Sequence, residues 1–388
     1  MDFKEYRFID VATLINGRAY LMPELQDSGK YKIVRVGNFT GKDEWFYSDM
    51  ELEPDKYCED GDLLYKWACT FGPEIWKGGK TIYHYHIWKV LCSPHLLDKK
   101  FFFYYLKYHT PFWLSGTNGA TMVHITKASM EKKRLSLPPL PIQQKVASIL
   151  SAYDSQIENN QKRIKLLEQM AENLYKEWFV RFRFPGYENA EFEGGVPKGW
   201  TRCKLGDLID FQNGFAFKSE TFVPEGKYKV ITIKNVQDGQ FDSSNADRVE
   251  DIPKGMPSYC KLSEGDILLS LTGNVGRVCH VIGDNMLLNQ RVAKIKSSHS
   301  HFAYCMLRTP AMFAYLNMIA YGTAQLNLSP IKAANLKIIK PTESIMEAFD
   351  KVVAPLFSSV FNLYNQIDFL SSQRDLLLPR LMSGKLSI

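Results

Sequence analysis

The chain has no uninterrupted apolar run near the ~18 residues that a membrane-spanning helix needs, so no membrane span is expected. Its first residues, Met1-Asp2-Phe3-Lys4-Glu5, are too polar to open a secretory leader. Seven cysteines, an odd number with no C-x-x-C pair, argue against a disulfide framework or a zinc ribbon and point to a reducing, cytoplasmic setting. Charge of either sign is nowhere concentrated: 48 basic residues face 42 acidic ones, a balance that permits nucleic-acid binding without demanding it.

Catalytic signatures are missing as well. No G-x-G-x-x-G follows an apparent strand, and there is no G-x-S-x-G or H-E-x-x-H. Gly79-Lys80-Thr81 resembles the end of a phosphate-binding loop, but the position that must be its first glycine is Glu74. Pro138-Pro139 lacks the flanking acid or Asn and the aromatic of an amino-methyltransferase motif. His84 and His86 alternate in an apparent strand and could share a face, yet two imidazoles alone make a poor metal site; a packed or partner-facing aromatic strand is the simpler reading. No catalytic residue, metal ligand or cofactor site is expected.

What is present is a duplication. Asn16-Gly17-Arg18-Ala19-Tyr20 returns as Asn213-Gly214-Phe215-Ala216-Phe217, Gly29-Lys30-Tyr31-Lys32 as Gly226-Lys227-Tyr228-Lys229, and Asn38 as Asn235, all at an offset of 197. Gly61-Asp62-Leu63-Leu64 returns as Gly265-Asp266-Ile267-Leu268, and Ser115-Gly116-Thr117 as Tyr321-Gly322-Thr323, the offset drifting as loop insertions would make it. A period so long is no solenoid; it marks two copies of a domain-plus-helix unit. Pseudo-symmetric molecules of this kind suit two-part targets such as DNA half-sites.

Each copy reads as a mixed α+β domain. Residues 32–36 and 81–90 in the first half, and 229–233 and 266–271 in the second, are β-branched or aromatic and suggest strands; 96–108 and 301–308 suggest helices. After the stiff Leu137-Pro138-Pro139-Leu140-Pro141 stop, Leu150, Tyr153, Ile157, Asn160, Ile164, Leu167, Ala171, Leu174 and Trp178 fall at alternating spacings of three and four. Asn160 is the polar intruder that would fix register. Met346, Phe349, Val353, Leu356, Val360, Leu363, Ile367, Leu370, Arg374 and Leu377 repeat the pattern, with Pro355 expected to kink the helix, Pro379 to end or bend it, and Gly384 to stop it. The expected organisation is two pseudo-symmetric globular domains, 1–141 and 201–340, two long helices, 142–184 and 341–388, meeting as an antiparallel coiled coil, and a linker at 185–200.

Candidate contacts follow from loop chemistry. Leu271 to Arg277 is a small-residue turn after a strand, either an ordinary hairpin turn or a loop that brings Asn274 and Arg277 to nucleic acid. Gln290 and Arg291 suit adenine and guanine edges, or equally a surface salt bridge. The matching first-half stretch keeps the place but not the letters, and offers Lys66, with Lys77 and Lys80 following.

The motifs Gly265-Asp266-Ile267-Leu268-Leu269-Ser270-Leu271-Thr272-Gly273-Asn274-Val275-Gly276, Val196-Pro197-Lys198-Gly199-Trp200, Leu137-Pro138-Pro139-Leu140-Pro141-Ile142-Gln143-Gln144-Lys145 and Leu378-Pro379-Arg380-Leu381-Met382-Ser383-Gly384, in this order on a duplicated frame, resemble the specificity subunit of type I restriction–modification systems. The resemblance covers nearly the whole chain. It implies two target-recognition domains, each reading one half of a bipartite double-stranded DNA site, and helices that set the unread spacer. It also implies docking of two methyltransferase subunits, joined by restriction (translocase and nuclease) subunits, and no catalysis by this chain. The first half departs from the family in lacking a Pro-Lys-Gly-Trp entrance, and the second helix opens with Pro341-Thr342-Glu343-Ser344-Ile345-Met346 rather than Pro-x-x-x-Gln-x-x-Ile. Two other readings compete: a nuclease or methyltransferase with an unrecognised active site, and a coiled-coil interaction protein that does not touch DNA.

Overall fold

A computed structural model describes residues 3–41, 44–115, 125–322, 325–386 and 388. The chain forms two compact units: Met1–Gln156 with Leu370–Ile388, and Ile157–Phe369. Each unit therefore contains one α+β domain and a stretch of both long helices.

In the first unit, β1 (Lys4–Arg7) leads into a single turn, α1 (Phe8–Val11), and β2 (Ala12–Asn16). There follow β3 (Tyr31–Val34), β4 (Phe46–Ser48), β5 (Tyr57–Cys58), β6 (Leu63–Ala68), β7 (Thr70–Ile75), β8 (Thr81–Tyr83) and β9 (Ile87–Cys92). Helices α2 (Lys99–Ser115) and α3 (Lys127–Glu131) precede β10 (Arg134–Leu137), and α4 (Leu140–Tyr175) begins with Pro141 in its first turn. The strands form the sheets β2-β9-β6-β7 and β4-β3-β8-β5, with β3 parallel to β8, and β1 pairs with β10.

The second unit repeats this order of strands, with one added hairpin inside the domain. After a short hairpin, β11 (Phe192–Glu193) and β12 (Val196–Pro197), come β13 (Thr201–Lys204), β14 (Asp210–Asn213), β15 (Tyr228–Ile231), β16 (Val236–Gln237), β17 (Gln240–Phe241) and β18 (Asp247–Val249). The rest are β19 (Lys261–Leu262), β20 (Ile267–Ser270), β21 (Val278–His280), β22 (Met286–Leu288), β23 (Val292–Lys296), α5 (Ser300–Leu307), α6 (Pro310–Ile319), α7 (Pro330–Ala334), β24 (Lys337–Lys340) and α8 (Glu343–Met382). Its sheets are β14-β23-β20-β21 and β18-β15-β22-β19, with β15 parallel to β22, and β13 pairs with β24. β6 and β20 sit centrally and are buried almost throughout, so neither alternates apolar with polar residues, Lys66 being the one charge in β6.

The repeated letters are the residues that this architecture constrains. At Gly17 a Cβ would run into the carbonyl oxygen of His84, and at Gly214 into that of Asn289, so the repeated Asn-Gly tolerates no side chain at its second position. Asn38 accepts the peptide N–H of Arg35 (2.8 Å) and donates to the carbonyl of Glu44 (2.8 Å); Asn235 makes the same two bonds with Thr232 and Asp242, both 2.8 Å. The repeated Gly-Asp ends in a half-buried ion pair in each half: Asp62 with Lys89 at 2.7 Å, Asp266 with Lys294 at 2.8 Å. These bonds order loops that have little apolar surface to bury. Of the last repeated pair, Gly116, Thr117 and Thr323 lie outside the described residues.

The three-four pattern of both helices is a packed seam. In the first unit Val146, Ala147 and Leu150 bury against Leu381 and Met382 along with the domain core of Phe8, Tyr65, Phe102 and Leu135. Arg374, the polar seam residue of α8, pairs with Asp154 at 2.6 Å. In the second unit Ile164 packs with Val360 and Leu363, while Ala171, Tyr175 and Trp178 pack with Met346, Phe349 and Val353. Within each unit a rising number on α4 meets a falling number on α8, so the pairing is antiparallel. Asn160 is fully buried and donates to Gln366 Oε1 at 3.2 Å.

Pro379 does not end the helix. α8 continues unbroken through both Pro355 and Pro379 to Met382. Pro355 lies on the exposed side of the helix, where water can satisfy the carbonyl freed one turn earlier. The stop is at Gly384, with φ of +69°, its N–H donating to Leu381 at 3.3 Å. The linker is also more ordered than punctuation alone suggested: Gly194 and Gly195, both at positive φ, close the β11–β12 hairpin.

Candidate nucleic-acid interface

In the second half, three segments meet at the end of β20. Leu271 donates its N–H to the carbonyl of Arg291 (3.0 Å) and accepts one from Leu328 (2.7 Å). Gly273 donates to Leu326 (2.8 Å), and Thr272 Oγ1 to Asn327 Oδ1 (3.0 Å). Inside the loop, the Ser270 hydroxyl donates to the Asn274 carbonyl and accepts the N–H of Arg277, fixing a turn with Gly273 and Gly276 at positive φ. The structure thus joins the loop bearing Asn274 and Arg277 to the turn bearing Gln290 and Arg291. Asn274, Gln290 and Arg291 are exposed and Arg277 is half-buried.

Tyr321 and residues 325–328 are the part of this cluster that loop chemistry alone did not single out. Tyr321 is 54% exposed, and the Lys332 ammonium sits 5.2 Å from its ring centre. Tyr321 and Asn327 exchange both peptide hydrogen bonds, at 2.9 and 2.7 Å, which pins the segment against the Leu271 loop. The signal was present, since Tyr321-Gly322 belongs to a repeated motif, but nothing local tied it to the loop after β20.

The first-half lysines are arranged differently. Lys66 is buried; its ammonium lies 2.7 Å from Glu74 and 5.0 Å from the centre of the Phe39 ring. With its charge paired and its stem packed, it is not presented as the second-half arginines are. Lys77 and Lys80 are exposed but follow β7, beside the Asp60-Gly61 turn. That is the opposite end of β6 from the tip at Trp67-Ala68-Cys69, so the structure does not bring the three lysines together at the counterpart of the second-half cluster. The same turn disposes of a phosphate loop: the N–H groups of Gly78 and Gly79 both donate to Asp60 Oδ1, at 2.7 and 2.8 Å.

The expected strand at 81–90 is really two strands in different sheets. β8 ends at Tyr83, and His84, Tyr85 and His86 form a turn before β9. The two imidazole centres are 4.9 Å apart, but they sit in a turn rather than on one strand face. Burial, assisted by His86 and Arg35, lowers the pKa of His84 to about 4, so its ring is neutral at ordinary pH. Among the described residues, no group of three or more His, Cys, Asp or Glu could hold a metal ion. Arg35, Asn38, Thr40, Cys69, Thr70 and the two histidines line a cleft of about 400 Å³ beside the β6–β7 tip.

A duplicated α+β frame carrying divergent polar loops at one sheet end defines the class: a two-module recognition scaffold. The chain belongs to the family described as the type I restriction modification DNA specificity domain, whose model matches residues 1–169 and again 197–367. It is 28% identical over 286 residues to the type I restriction enzyme MjaIX specificity subunit of Methanocaldococcus jannaschii, covering 70% of this chain and 65% of that one. To the MjaVIII specificity subunit of the same organism it is 27% identical over 374 residues, covering 86% of each chain. The fold is similar to the crystal structure of the type I restriction–modification S subunit from M. genitalium, with a TM-score of 0.58, 15% identity, and coverage of 98% and 96% of the two chains.

Proposed function

We propose that this chain is the DNA-reading specificity subunit of a type I restriction–modification assembly, each α+β domain reading one half of a bipartite double-stranded site. The observation that carries the reading is the identity of strand order in the two domains together with the difference of their loops at the same sheet end. A shared frame with divergent loops suits two modules that present equivalent surfaces to unlike sequences. On this reading the chain binds and positions but does not itself react, and it needs no cofactor. Methyltransferase and restriction subunits supply the chemistry in the cytoplasm. Asn274, Arg277, Gln290 and Arg291 are the contacts of the second half.

The test is modular exchange. Residues 201–340 are replaced by the equivalent domain of a relative, the chain is assembled with its methyltransferase subunits, and methylated sites are mapped. One half-site should change and the other persist. Change in both, or in neither, removes the modular reading. A chain that cuts or methylates DNA alone would favour the enzyme reading, and one that shows no salt-dependent DNA binding would favour a pure interaction protein.

A further inference from the structure

We propose that Tyr85 and His86 are the sequence-reading pair of the first domain, occupying the stations that Gln290 and Arg291 occupy in the second. This rests on the DNA-reading function proposed above and assigns its first-half contacts to residues other than the lysines.

The argument is one of register. Four backbone hydrogen bonds fix the turn after β8, and the same four fix the turn after β22. His84 donates to Val34 as Asn289 donates to Ile231, all at 3.0 Å. Tyr85 donates to Arg18 as Gln290 donates to Phe215, again at 3.0 Å. Ile87 donates to His84 as Val292 donates to Asn289, both at 3.0 Å. Trp67 donates to His86 at 3.2 Å as Leu271 donates to Arg291 at 3.0 Å. Residue by residue, Tyr85 therefore stands where Gln290 stands and His86 where Arg291 stands. Lys80, which precedes β8, corresponds instead to Asn285, which precedes β22.

The turn is held firmly enough to read with. Trp67 Nε1 donates to the carbonyl of Tyr85 at 2.9 Å, and the Trp67 ring stacks on Trp88 with centres 5.6 Å apart. His86 packs edge-on to Trp67 (5.2 Å) and against Tyr85 (3.9 Å), while Tyr85 remains 38% exposed. A protruding ring on such a support can contact a base without first being ordered, which removes part of the entropic cost of binding.

The chemistry of the two pairs differs in kind. Gln and Arg present two-pronged groups that match adenine and guanine edges in the major groove. Phenol and imidazole offer single hydrogen bonds, and the phenol ring offers an apolar face of the sort that meets a thymine methyl. The first half-site should accordingly be read through one acceptor edge and apolar contact, the second through bidentate bonds.

Transplantation tests this. In the full chain, assembled with its methyltransferase subunits, Tyr85→Gln is combined with His86→Arg, and preferred sites are selected from a randomised duplex library by methylation. Preference should shift at least tenfold at one or two positions of the first half-site, with the second half-site unchanged. The reciprocal Gln290→Tyr/Arg291→His should move only the second half-site, and Lys77→Ala/Lys80→Ala should move neither. His86→Asn, smaller and uncharged, keeps the test open should the double variant fail to assemble. Unaltered first-half preference in both Tyr85/His86-region variants, or a shift in the second half-site, overturns the assignment. A wild-type assembly with no bipartite preference at all would instead fail the DNA-reading function on which the assignment rests.

Discussion

Asn160 on α4 donates its side-chain amide to Gln366 Oε1 on α8, a polar bond from a buried residue in a mostly apolar seam. A buried amide of this kind trades stability for register. Asn160→Leu should raise the calorimetric melting temperature by ~2–4 °C, corresponding to about 1 kcal/mol in a unit of this size. Gln366→Ala should then cost stability beside Asn160 and almost nothing beside Leu. A lower melting temperature for Asn160→Leu would mean that the pair is a net stabiliser rather than a register device.

Glu168 lies in a cavity of about 690 Å³ with Arg308, whose guanidinium pairs with Glu172 at 3.0 Å and Asp238 at 3.4 Å. Burial, with Glu172 and Asp238 adding to it and Arg308 opposing, raises the Glu168 pKa from 4.5 to about 7. The folded state thus holds this proton more tightly than the unfolded chain does. Its contribution to stability is greatest below about 4.5 and is lost as pH rises to about 7. Glu168→Gln should flatten that slope and stabilise the fold at pH 8 by about 1–2 kcal/mol, read from urea midpoints between pH 5 and 8. An unchanged slope would show that Glu168 is ionised throughout.

Removing Arg308 should do the reverse. Arg308→Gln leaves Glu172 and Asp238 without their shared cation in a half-buried site, and should lower stability by about 3 kcal/mol at pH 8. The loss should shrink towards pH 5, where Glu168 is protonated and no longer faces the cation as a charge. A loss independent of pH would point to packing of the arginine stem instead.

Gly17→Ala and Gly214→Ala should each destabilise by about 1–3 kcal/mol or more, because the added methyl meets a carbonyl oxygen of the neighbouring turn rather than a side chain that can swing away. Chemical denaturation of the two variants checks this. Equal stability to the wild type would mean that the β2 and β14 ends can move apart from those turns.

Salt dependence of DNA binding should separate structural from contacting cations. Arg277→Ala or Arg291→Ala should reduce the slope of log K against log salt by about one unit wherever the arginine reaches a phosphate. Lys66→Ala should instead lower thermal stability, since it strands Glu74, and leave the slope unchanged. A reduced slope for Lys66→Ala would place that ammonium at the DNA after all.

The seam was legible because heptad spacing is a property of residues close in sequence: every seam position from Leu150 to Trp178 is buried or half-buried. The second-half loops were legible for a similar reason, since Gly273, Asn274 and Gly276 declare a turn whatever surrounds them. Residues 81–90 misled because an aromatic, β-branched run has strand propensity throughout, and only pairing reveals that β8 joins β3 and β5 while β9 joins β2 and β6. The first-half lysines could not be placed relative to one another from sequence, because charge marks a candidate contact without saying which end of a strand it occupies.

By itself the sequence determined that the molecule is a duplicated unit with two long helices, and it marked the glycines, asparagines and aspartates on which each copy turns. Those are local constraints, written in spacing and in the few residue types that a tight backbone accepts. Which segments share a surface was decided only by tertiary structure. The bonds from Leu271 to Arg291, from Gly273 to Leu326 and from Trp67 to His86 join positions remote along the chain. Their geometry depends on sheet register, which no single stretch of sequence contains.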